Sequence, residues 1–132
     1  MAGTLTISTL SDGTNSTSAT NCIQGSAKAW ANFNGTTSPS TRASYNISSF
    51  TRSSSGTYTV AFTNALADAN YAPVISTSGD SSGSFAASPY GAQPNAASGA
   101  LVTPTTSGFG FYTNWNGSGT QNPTYISVAV FR

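Results

Sequence analysis

Apolar and polar residues alternate with period two in short runs along the chain, and clusters of Gly, Ser, Asn and Pro separate the runs. Such spacing predicts the strands of a sandwich or barrel, and no run with helical period competes with it. The first strand is expected over residues 4–10, where Leu5 and Ile7 alternate imperfectly with Thr and Ser before the Ser11-Asp12-Gly13 turn signal. Residues 12–20 are small and polar and read as a loop or an extended arm lying on another surface. Over residues 22–34 an extended chain would place Ala27, Ala29, Ala31 and Phe33 on one face and Lys28, Trp30, Asn32 and Asn34 on the other. Asn34-Gly35 then signals a turn.

A third strand is expected over residues 43–50, with Ala43, Tyr45 and Ile47 opposite Ser44, Asn46 and Ser48. Gly56 can supply the positive φ of a hairpin loop over residues 52–56, so the strand at 57–62 should pair antiparallel with the one before it. Residues 64–70 (NALADAN) read as one helical turn. They lead into a strand at 71–77 that Pro73 assigns to an edge or a strand start. Residues 78–99 form the longest weakly patterned stretch, with isolated Phe85 and Tyr90, and read as the functional loop. Short strands follow at 100–103 and 109–116. The run YISVAVF at 125–131 is apolar on both faces apart from Ser127, which predicts a central strand or one buried between subunits. The expected organisation is an extended N-terminal arm, residues 1–21, and one β-sandwich domain, residues 22–132.

Composition sharpens this picture. Only 5% of the 132 residues are charged, and Ser and Thr make up about a third, so hydroxyls take over the solvating role. Fifteen aromatic rings argue for a packed core rather than disorder. Scarce Lys and absent Glu, with abundant Thr, Val, Tyr and Phe, favour strands over helices. Four basic residues (Lys28, Arg42, Arg52, Arg132) and a net charge of +1 give no footprint for nucleic acid. The N-terminus lacks the basic and apolar regions of a signal peptide, and no run approaches the ~18 apolar residues of a membrane span, so neither export nor a membrane is expected. The single cysteine, Cys22, has no intramolecular partner and reads as a small buried hydrophobe.

The chemistry available is narrow. Without histidine, nucleophilic triads and most zinc sites are excluded. Without glutamate, a catalytic carboxylate pair would need Asp12, Asp68 and Asp80, which are scattered among turn-like stretches. No D-x-D-x-D calcium loop and no phosphate loop is present, so no catalytic residue, metal or cofactor is expected. Asn-x-Ser/Thr sequons at Asn15, Asn34, Asn46 and Asn116 are what a chain this rich in Ser and Thr gives by chance. Trp30, Trp115, Tyr90 and Tyr112 read as core, interface or sugar-stacking rings.

The segment GSAKAWANFNG (residues 25–35), followed by RASYNISSF (42–50), GTYTVAFTN (56–64) and DANY (68–71), resembles a module recurrent in tail fibres and other virion proteins of bacterial viruses. The opening TLTISTLSDG (4–13) is also similar, so the resemblance covers about the first half of the chain. Two stretches depart from it. Residues 36–41 are longer and richer in Ser and Thr than the usual connection, and 51–55 (TRSSS) replaces an acidic turn.

The resemblance implies an all-β, antiparallel sandwich or jelly-roll-like domain, commonly a homotrimer, in a virion assembled in the bacterial cytoplasm. A three-fold contact would use Ala29, Trp30, Ala31, Phe33, Val128, Val130 and Phe131, small or two-faced positions that suit close approach. The expected function is a capsid cement or decoration protein whose partners are its own copies and the major capsid protein, with the arm lying across capsid subunits. The alternative is a tail-fibre or spike-tip adhesin that touches a host glycan through Phe85 and Tyr90.

Overall fold

The computed structural model describes residues 3–36, 38–78, 85–89, 103–115 and 120–132. It is all-β with antiparallel sheets and one short helix. The chain begins with a small hairpin, β1 (Thr9–Ser11) against β2 (Ser16–Ser18), followed by α1 (Ala19–Gly25). Then come β3 (Ala27–Asn34), β4 (Ser40–Tyr45), β5 (Ile47–Ser54), β6 (Thr57–Phe62) and β7 (Ala72–Ser78). β8 (Phe85–Pro89), β9 (Gly108–Trp115) and β10 (Tyr125–Phe131) complete the order. One four-stranded sheet runs β4-β3-β10-β7 and the other β5-β6-β9-β8.

The two sheets share one core. Ala29, Ala31 and Phe33 of β3 and Ile126, Val128 and Val130 of β10 meet Tyr58, Val60, Phe62, Phe109 and Phe111 of the second sheet. Aromatic stacking ties the layers together. Phe33 lies 3.7 Å from Phe50, which lies 5.0 Å from Tyr58, which lies 5.3 Å from Phe111. A second group, Phe62, Tyr71 and Phe109, packs edge-on and tilted at 5.6–6.2 Å. Rings in such arrangements add ~0.5–1.5 kcal/mol per pair beyond their burial.

Several expectations hold. β5 and β6 pair antiparallel across a turn in which Gly56 takes φ +64°, β7 with Pro73 is an edge strand, and β10 is central between β3 and β7. Others are corrected. The strand expected at 43–50 is two strands in different sheets, broken at Asn46, which takes φ +55°. Its carboxamide stabilises that conformation. Oδ1 accepts from the Asn64 N–H at 2.7 Å, while Nδ2 donates to the carbonyls of Lys28 and Asn64. Asn is among the few side-chain-bearing residues that enter this region at low cost.

The first strand is shorter than residues 4–10 and starts at Thr9, and residues 16–18, expected as loop, are its partner. Residues 19–25 are helical where loop and then strand were expected, because the Ser18 hydroxyl accepts the Asn21 N–H at 3.1 Å and caps the first turn. Cys22 therefore sits half-buried on this helix, outside the core. Residues 64–70 are bends rather than a helical turn, since the Asp68 carboxylate accepts the Asn70 N–H and so competes with helical bonding. The expected strand at 100–103 is not seen at Thr103, and residues 100–102 lie outside the described ones.

Gly35 shows why the turn after β3 is specific. Its N–H donates to the Pro123 carbonyl at 3.0 Å and its carbonyl accepts the Tyr58 hydroxyl at 2.5 Å. A Cβ there would fall within 2.5–2.9 Å of Ile126, Pro123 and Tyr58, so only glycine fits. Burial pushes the Tyr58 hydroxyl up to about 12, because a phenolate in the core has lost its water.

Candidate interaction surface

Alternation along β3 and β10 turns one set of side chains into the core and the other outward. The outward set of the first sheet forms ordered rows. Tyr45 of β4, Trp30 of β3, Ala129 of β10 and Val74 of β7 stand opposite one another across all four strands. In that row Tyr45 is 58%, Trp30 42% and Val74 57% exposed. The next row is polar: Ala43, Asn32, Ser127 and Ser76, with Asn32 Nδ2 donating to the Ser127 hydroxyl at 3.0 Å. Beyond it Tyr125 is exposed beneath the Arg42 guanidinium, 4.2 Å from the ring centroid.

Arg42 sits at an irregularity in the β3–β4 register, between the pairs Asn32–Ala43 and Phe33–Thr41. Its donors are used internally, on the carbonyls of Phe33 and Thr124 (2.8 Å to the latter) and on Asn32 Oδ1 at 3.3 Å. The other basic groups are likewise engaged. Lys28 donates to the Ile23 carbonyl and the Ser26 hydroxyl, Arg52 to Asn122 Oδ1 at 3.1 Å, and Arg132 pairs with Asp68. That pairing holds the Asp68 carboxyl well below the usual carboxylate range. Asp12 is also lowered, because Oδ1 accepts the Asn15 and Thr14 N–H groups at 2.7 and 2.9 Å in the β1–β2 turn. The shallow depression beside it, lined by Leu10, Asp12 and Asn15, has its carboxylate committed to that turn.

A second apolar surface lies on the arm. Leu5, Ile7, Leu10 and Ile23 are 82%, 41%, 53% and 66% exposed, and no residue of 3–25 belongs to the core cluster. The hairpin and helix pack on one another, with the Ala19 N–H donating to the Ser8 carbonyl at 2.9 Å. Among the described residues the hydrogen-bonded link from arm to sheet is Lys28.

The residues proposed for a subunit contact divide between core and surface. Ala29, Ala31, Phe33, Val128 and Val130 are buried in the chain's own core, so no second copy can reach them. Trp30 and Phe131 remain: Trp30 is in the exposed row, and Phe131 is half-buried. Phe85 opens β8, and its side chain lies outside what is described; Tyr90 and Asp80 lie outside the described residues altogether. Tyr112 is buried and offers no ring to a sugar. Sequence reasoning missed Tyr45, Val74 and Tyr125 as surface residues. The alternation of β4 and β7 was the signal for the first two, once both strands were placed at the edges of one sheet. Among the described residues no three metal-ligating side chains cluster, and no helix is long and apolar enough to cross a membrane. Comparison with protein-family models, with curated proteins and with solved structures gives no match, so the surface is read from its own chemistry.

Proposed function

We propose that the chain is a non-enzymatic structural protein of a bacterial virus particle, a homotrimeric cement or decoration protein built on a β-sandwich. One observation carries the reading: large apolar side chains are exposed on two separate surfaces among the described residues, while every basic side chain is hydrogen-bonded within the chain. Such surfaces fit protein–protein contact and solvate poorly when left open. The resemblance of residues 25–35 and 42–71 to virion modules supplies the setting.

The test is to prepare particles with and without the protein. Loss of heat or osmotic stability in its absence, restored by adding the purified chain at hundreds of copies per particle, is the expected result. A few dozen copies, with glycan-array binding abolished by Tyr90→Ala, would instead favour the tip adhesin. Unchanged particle stability and no association with particles would remove the structural reading.

A further inference from the structure

We infer that the apolar row on the outer face of the first sheet is the docking surface for the N-terminal arm of a second copy of this chain. Eight large apolar side chains are exposed among the described residues, and they fall into two groups of four. Leu5, Ile7, Leu10 and Ile23 are on the arm; Trp30, Tyr45, Val74 and Tyr125 are on the sheet face. The arm leaves its own sheet face open, since Tyr45, Trp30 and Val74 of the row stay exposed with residues 3–25 in place.

Charge narrows the occupant. Two cations belong to this sheet, Lys28 of β3 and Arg42 of β4, held by carbonyls, a hydroxyl and a ring, and the only charged residue of the arm, Asp12, is held in its own turn. These partners are neutral, so the face keeps the positive charges of Lys28 and Arg42 and the arm the negative charge of Asp12; the two surfaces are opposite in sign as well as apolar, and a basic partner is disfavoured on the face. Area points the same way. At their observed exposures the eight side chains present roughly 900 Å2, approaching the ~1,200 Å2 at which stable interfaces begin, before the Ala, Ser and Thr between them are counted.

Arm on face is a head-to-tail contact, because each copy gives one surface and receives on the other. Repetition closes a ring or grows a filament. Closure at three copies rests on the trimer proposed above; the contact itself does not.

Two full-length double variants test it: an arm variant, Leu5→Glu with Leu10→Glu, and a face variant, Tyr45→Glu with Val74→Glu. All four positions are exposed and lie outside the core. Light scattering should give the wild type a mass near three times 13.4 kDa and each variant alone 13.4 kDa. The equimolar mixture should give a species of about twice the chain mass, in which the intact arm of one variant sits on the intact face of the other. That rescue also shows that both variants are folded. If either variant loses its folded circular-dichroism signal, the Ser versions of the same positions replace it.

A monomeric wild type overturns the inference, as the arm folding back or a glycan occupying the face would require. An arm variant that stays associated overturns it in favour of face-to-face pairing. A mixture that remains monomeric at ten times the concentration at which the wild type assembles overturns it too. None of these measurements involves particles, so a chain that assembles this way yet does not bind them keeps this inference and sinks the virion reading.

Discussion

The arm (residues 3–25) and the two-sheet body that follows it spend the same kinds of residue in opposite ways. In the body, Ile126, Val128, Val130 and Phe33 are buried between sheets, and the stacked rings Phe33, Phe50, Tyr58 and Phe111 link the layers. In the arm, Leu5, Ile7, Leu10 and Ile23 all face solvent, and order comes from polar devices: the Asp12 turn, the Ser18 cap and a three-residue hairpin. A two-stranded hairpin is marginal in water by itself. The difference teaches that the body carries its own stability, whereas the arm's apolar residues gain from burial only when another surface covers them.

The comparison breaks first at the core. Phe33→Ala should destabilise the body by about 3–5 kcal/mol, because it removes the ring by which the first sheet joins the stack and leaves a cavity in the core. Urea unfolding of the purified chain measures this, and a loss below 1 kcal/mol would mean the two sheets do not share that core. The pH dependence is next. The Tyr58 hydroxyl is raised from about 10 to about 12 in the folded chain, so its contribution is intact below pH 10 and is lost as pH rises toward 12. A two-unit shift bounds the loss at about 3 kcal/mol. Tyr58→Phe should flatten that decline, as read by thermal melts between pH 9 and 12.

Asn46→Ala removes the hydrogen bonds that support the left-handed corner between β4 and β5 and should cost about 1–3 kcal/mol. Asn46→Gly should recover part of that, since glycine accepts the backbone angle. The smallest effect belongs to the arm. Leu5→Ser should change the stability of the isolated chain by less than about 0.5 kcal/mol, because an exposed side chain has little to lose. Measured in the monomeric face variant, Tyr45→Glu with Val74→Glu, a large change would show that the arm already packs on its own body.

Much of the body is legible in the sequence. Gly56 announces its hairpin, Pro73 its edge, and the two-faced run at 125–131 its central position, each through a local backbone or burial rule. The corner at Asn46 is not legible, since Ala43, Tyr45, Ile47 and Ser48 continue a clean alternation through it. What breaks the strand is three side-chain hydrogen bonds, two with Asn64 and one with Lys28, each residue eighteen positions away. The helix at 19–25 left a fainter trace: Ser18 stands before it and Gly25 ends it, but seven residues are too few for a period to show. Of the surface, Trp30 was visible as the aromatic opposite the alanine face of β3. Its alignment with Tyr45 and Val74 was not.

By itself the sequence determined the all-β class, the antiparallel hairpin of β5 and β6 and an inventory without histidine or glutamate, because period-two patterning, turn residues and composition act locally or by sheer count. It also determined that β3 would have two unlike faces. Only the tertiary structure decided which of them is inside. Ala29, Ala31 and Phe33 lie inside because the strands that follow the sheet switch at Asn46 bring Phe50 onto Phe33 and Tyr58 onto Phe50, closing one core over that face. Trp30 is left outside, in a row that exists only once β4, β3, β10 and β7 are in register.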